Sequence, residues 1–134
     1  MESTRPPRVL VVDDEKSNRT FAERALREAG YDVASAADGP EALDLVERSS
    51  PFDLFLVDVL MPRMHGDELA RRLRQRDADA KILYFTGYAD QLFEQRNVLW
   101  THEAFVEKPV SLNGLLEAVS LMVFGHMRGL RPSA

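Results

Sequence analysis

The stretch Asp53-Leu54-Phe55-Leu56-Val57-Asp58-Val59-Leu60-Met61-Pro62-Arg63-Met64-His65-Gly66 decides the fold. Its apolar run, Leu54 to Val57, reads as a short strand covered on both faces, the pattern of a parallel sheet. The run ends in a carboxylate, Asp58, followed by a loop punctuated by Pro62 and Gly66. Ligands of open parallel sheets bind beyond the carboxyl ends of the strands. A strand whose first charge stands at that end presents it to a site.

The neighbours on either side supply the rest of such a sheet. Upstream, Arg8-Val9-Leu10-Val11-Val12 reads as a first strand that stops at Asp13-Asp14-Glu15. Ser17 or Asn18 is suited to cap a helix running to about Ala29, with Phe21, Ala22, Ala25 and Leu26 on its buried face and Gly30 closing it. Asp32 to Ala36 is a weaker strand whose alternation suits a sheet edge. Asp38-Gly39-Pro40-Glu41 starts a second helix, with Pro40 at the first helical position. That helix ends near Ser49-Ser50-Pro51.

Downstream, Asp67 to Arg76 predicts a helix with Leu69 and Leu73 inward and Arg71, Arg72, Arg74 and Arg76 on a solvated outer face. Lys81 to Phe85 is a fourth strand handing over to Thr86-Gly87. Tyr88 to about Trp100 suits an exposed helix. Ala104 to Glu107 is a short fifth strand ended by Lys108-Pro109. Ser111 caps a last helix with Leu112, Leu115, Leu116, Val119, Met122 and Val123 at core spacing. Strand–helix alternation with short connections predicts an α/β fold, doubly wound around a five-stranded parallel sheet with helices on both faces.

Composition narrows the function classes. The chain's 134 residues suffice for one domain with a full core, expected over 8–125 between flexible termini, 1–7 and 126–134. A net charge of −5 disfavours nucleic acid as a direct partner. The absence of cysteine excludes disulfides and thiolate chemistry. No apolar run approaches the roughly 20 residues of a membrane span, and the N-terminus lacks a signal-peptide core, so a cytoplasmic protein is expected. His65, His102 and His126 lack ligand spacing.

Four strand ends carry Asp13 and Asp14, Asp58, Thr86 and Lys108, and a parallel sheet brings them to one edge. Singly each has an ordinary reading: helix cap, turn residue, turn start, surface lysine. Together they make a site. Crowded carboxylates resist ionisation unless a cation neutralises them, and Mg²⁺ takes a few oxygen ligands with water or phosphate completing its shell. A hydroxyl and an ammonium beside them suit a phosphoryl group, and an aspartate beside Mg²⁺ can be the nucleophile.

With Val-Val-Asp13-Asp14-Glu15, Asp58-Val-Leu-Met-Pro62 closed by Gly66, Thr86-Gly87-Tyr88 and Lys108-Pro109, the chain resembles the receiver domains of two-component response regulators over essentially its whole length. The resemblance implies the flavodoxin-like strand order 2-1-3-4-5 and a phosphorelay function. Asp58 is then the phosphoacceptor, fed by a phosphohistidine on a sensor histidine kinase or a histidine phosphotransfer protein. Asp14, Asp58 and the backbone carbonyl of Leu60 would ligate Mg²⁺, with Asp13 acting through water. Thr86 and Lys108 would meet the phosphoryl oxygens, and the Lys108-Pro109 bond is typically cis in the family. Phe105 matches the aromatic switch that turns inward with Thr86. A downstream protein or output domain would read the face made by the helix over Tyr88 to Trp100, the fifth strand and the last helix.

The sequence departs from the family pattern in places. Leu60 and Tyr88 stand where family members often carry polar side chains, and shielding by them implies slow self-dephosphorylation. His65 replaces a residue that is often acidic. Asn97 to Glu103 lacks a small Gly-Ala pair. An Mg²⁺ hydrolase with an aspartate nucleophile would carry a second acid where Leu60 stands, and a pseudo-receiver would not need the full acid–Thr–Lys set. Neither external turnover nor an output domain is expected, with only about ten residues after the last helix.

Overall fold

The computed structural model describes residues 5–86, 102–108 and 110–125. Five strands form one sheet: β1 (Arg8–Val12), β2 (Asp32–Ala36), β3 (Leu54–Val57), β4 (Ile82–Thr86) and β5 (Glu103–Glu107). All pairings are parallel and the order is β2-β1-β3-β4-β5. Four helices are described: α1 (Lys16–Glu28), α2 (Gly39–Arg48), α3 (Gly66–Arg76) and α4 (Leu112–Phe124).

The strand period of two divides the core between the faces. Leu10, Val12, Phe55, Val57, Ile82 and Tyr84 meet Ala42 of α2 and Leu69, Ala70 and Leu73 of α3. Val9, Val11, Leu54, Leu56, Leu83 and Phe85 meet Ala22, Ala25 and Leu26 of α1 and Leu115 and Val119 of α4. β3 is buried along its whole length, as its unbroken apolar run demands. β2 stands at the edge, as its alternation predicts.

Several local expectations need correction. Glu15, not Ser17 or Asn18, stands at the N-cap position of α1, without a side-chain capping hydrogen bond to the helix backbone, and the Asn18 side-chain amide donates to the Glu15 carboxylate at 3.2 Å. Phe21 is 37% exposed because the buried stripe runs through Ala22, Ala25 and Leu26, leaving Phe21 on its flank. Leu112, at the first position of α4, is 49% exposed for the same reason. α2 begins at Gly39, so Pro40 is its second residue. Arg74 leaves the solvated face of α3: its side chain, 14% exposed, lies 3.6 Å from the fully buried Glu103 carboxylate. That carboxylate also accepts from the Tyr84 hydroxyl at 3.1 Å.

The terminators follow the residues. Gly30, at φ 100, ends α1 as the amides of Gly30 and Tyr31 donate to the carbonyls of Arg27 and Leu26 at 3.0 Å each. Ser111 caps α4 by accepting from the Gly114 amide at 3.0 Å. The expected helix over Tyr88 to Trp100, the conformation of the Lys108-Pro109 bond and the flexibility expected of residues 1–4 and 126–134 lie outside the described residues.

Candidate functional site

The site starts from the register of the three central strands. The Asp13 amide donates to the carbonyl of Ala36 at 3.2 Å and the Asp58 amide to that of Val12 at 2.9 Å, so the ladders deliver both aspartates to one edge. Asp13 is 1% and Asp58 6% exposed, while Asp14 is open to solvent. Oxygen atoms from all three carboxylates lie within 4.8 Å of one another.

Lys108, entering from the end of β5, is the counter-charge. Its ammonium donates to Asp13 Oδ2 at 2.9 Å and stands 3.6 Å from Asp58 Oδ2. Its approach is over the Phe85 ring, 5.1 Å from the centroid. The backbone ties Asp13 further: its Oδ1 accepts from the Glu15 amide at 2.9 Å, and its carbonyl accepts from Arg19 Nη1 at 2.7 Å. Arg19 had no signal in the sequence, since an arginine on a helix face reads as solvated.

One ammonium does not neutralise three acids. Burial and the Asp13 charge push the Asp58 carboxyl up to about 7; Lys108 opposes this, Asp14 adds to it, and the Val59 amide opposes it. Asp58 Oδ1 is buried with no hydrogen-bond partner among the described residues. A buried acceptor left so is costly unless a ligand meets it. The residues therefore fit a hard divalent cation, on the orphaned oxygen and on an all-oxygen donor set.

The loop after β3 folds back over this edge. The Gly66 amide donates to the Val59 carbonyl at 2.7 Å, and a Cβ on Gly66 would fall on the Asp58 carbonyl oxygen. Leu60 lies within this loop, partly buried against the core. Of the other residues singled out, Thr86 closes β4 opposite Glu107 by its backbone, and Phe105 on β5 is 36% exposed. His65 is exposed at the start of α3. Gly87, Tyr88 and Pro109 lie outside the described residues.

Comparison with known proteins agrees with this arrangement. Residues 9–120 match the response regulator receiver domain. The chain is 34% identical over 116 residues to the response regulator receiver protein CpdR of Brucella abortus (strain 2308), covering 87% of this chain and 96% of CpdR. It is 38% identical over 116 residues to the sensor kinase CckA of the same organism, covering 86% of this chain but 12% of the kinase. Among solved structures, the response regulator protein TrrA from Thermotoga maritima, in complex with Mg(2+)-BeF, superposes with a TM-score of 0.76 at 33% identity, covering 87% of this chain and 98% of TrrA. With its sheet order, its carboxylate edge and these matches in accord, the chain belongs to the family of response regulator receiver domains of two-component signalling.

Proposed function

We propose that this receiver domain, spanning 8–125, is an Mg²⁺-dependent phosphoacceptor that takes a phosphoryl group from a phosphohistidine onto Asp58. The observation that carries this reading is the buried Asp58 carboxylate, with Oδ1 lacking a hydrogen-bond partner among the described residues and Oδ2 within 3.6 Å of the Lys108 ammonium. Asp14, Asp58 and the Leu60 carbonyl would hold the cation, with Asp13 acting through water. When bound, a cation there would supply the positive charge that offsets the crowded carboxylates and the incoming phosphoryl group.

In the transfer, an Asp58 oxygen attacks phosphorus and the phosphorus–nitrogen bond to the donor histidine breaks, the electron pair leaving with the imidazole. Lys108 exchanges its contact with Asp13 for the phosphoryl oxygens, and Thr86 supplies a hydroxyl. Phe105, more than one-third exposed here, has an outward position from which to turn in when Thr86 moves. The last steps are a switched face around β5 and α4 and its recognition by a downstream protein. The donor, a sensor histidine kinase or histidine phosphotransfer protein, docks on the α1 side, where Phe21 and Leu112 line an apolar groove. External turnover is not part of this function. Among the described residues no helix is long and apolar enough to cross a membrane, and we assign the protein to the cytoplasm.

The test is incubation with Mg²⁺ and acetyl phosphate, read by intact mass beside Asp58→Asn. A phosphoryl adduct in the wild type, absent in the variant and without Mg²⁺, is the expected result. Failure of both this donor and beryllofluoride to bind overturns it. Leu60 shields the acyl phosphate, so the adduct should outlast minutes; decay within seconds refutes the shielding.

A further inference from the structure

The loop carrying Leu60 is fastened to the neighbouring element by a contact that no reading of the site requires. Arg63 stands at φ 70, a left-handed conformation that side-chain-bearing residues rarely adopt. From there its guanidinium forks onto one oxygen of Asp38, Nη2 at 2.6 Å and Nε at 3.2 Å from Oδ2. The other oxygen of Asp38 caps α2, accepting from the Glu41 amide at 2.9 Å, and Glu41 answers by accepting from the Ala37 amide at 2.6 Å. Beside this pair Met64, 7% exposed, lies on Gly39, where a Cβ would sit 2.6 Å from its Sδ. The Gly66–Val59 hydrogen bond closes the other end of the loop at 2.7 Å. Leu60 lies between these fastenings.

We propose that Asp38 and Arg63 form a clamp that holds the Leu60 backbone carbonyl in register for the cation, making both positioning residues for a site they stand outside. This rests on the metal site proposed above. An ion pair whose arginine is 65% exposed adds little to stability. Its consequence is instead loop position, which a carbonyl ligand feels directly. Partners one step removed from a metal typically change its affinity by 10- to 100-fold when lost. By linkage, the cation tightens the start of α2 as much as the clamp tightens the cation.

The experiment is calorimetric titration with Mg²⁺ of the wild type, Arg63→Gly, Asp38→Asn and the double variant. Glycine suits the backbone at φ 70, and asparagine keeps an oxygen for the Glu41 amide while losing the charge. Each single variant should bind Mg²⁺ about 10-fold more weakly, the double no more weakly than either. Urea midpoints should stay close to wild type, which separates positioning from general loss of structure. Mg²⁺ should slow hydrogen exchange at the Glu41 amide in the wild type and not in Arg63→Gly. Wild-type affinity in both single variants, or additive losses in the double, overturns the clamp alone. A wild type that binds no Mg²⁺ overturns the metal site itself.

Discussion

Asp58 is the residue at which fold stability and site chemistry conflict. A carboxyl raised from its ordinary 3.8 to about 7 is one whose charged form the fold disfavours. Between those values the folded state holds a proton that the unfolded chain releases, so stability falls as pH rises through this window. The penalty is fully present above about 7 and absent below about 4, and a shift of this size corresponds to about 4 kcal/mol at most. Asn matches the neutral carboxyl in size and carries no charge. In metal-free buffer at pH 8, Asp58→Asn should therefore be more stable than the wild type by about 2–4 kcal/mol in urea unfolding. The difference should shrink toward zero by pH 4, and a destabilised variant at pH 8 would sink this account. Asp58 alone reads as an ordinary turn residue; its place at the sheet edge was legible because neighbouring strands end in Asp13, Asp14, Thr86 and Lys108. Arg63 was not: a loop arginine carries no mark of the partner that folding brings to it from 25 residues away.

At the scale of the element, the loop between β3 and α3 is shaped by what it lacks. The Gly66 amide reaches the Val59 carbonyl only because no side chain separates α3 from the end of β3. Gly66→Ala places a methyl group on the Asp58 carbonyl and 3.0 Å from Val57 Cγ1, so the loop must shift. Overpacking of this kind costs about 1–3 kcal/mol. Chemical denaturation should show that loss, and phosphoryl uptake should fall with it; a variant unchanged in both would show the loop to be more adaptable than its contacts suggest. Periodicity revealed the elements among the described residues to within about two or three residues, because each buries a stripe or a face. It failed at the flanks. Phe21 and Leu112 obey core spacing yet remain half out, since the stripe beneath them was already filled by Ala22 and Leu115. It failed also at Arg74, whose aliphatic stem allows a charged side chain to turn inward when a buried acid, Glu103, awaits it.

At the scale of the whole molecule, the sheet assembles a charge cluster from residues 95 positions apart, with Lys108 on Asp13. The parallel sheet, and with it the convergence of the strand ends, was readable from strand–helix alternation with short connections, whereas the order of strands came only with the resemblance to receiver domains. A cation that binds only this assembled edge stabilises the entire fold, by RT ln(1 + [Mg²⁺]/Kd). At ten times Kd that is about 1.4 kcal/mol, a rise of roughly 4–8 °C in Tm for a chain of this size. At the proposed site, binding would require Asp58 to give up its proton, so affinity should fall about tenfold for each pH unit well below 7. At the same Mg²⁺ concentration, pH 5.5 should leave only a small part of that stabilisation, a shift of less than about 1 °C. Thermal unfolding at pH 8 and pH 5.5, with Mg²⁺ and with chelator, measures both. Asp14→Asn should abolish the pH 8 shift, because the remaining carboxylates hold too little charge to draw the cation from water. An equal Mg²⁺ shift at both pH values would mean that the cation binds elsewhere than on Asp58.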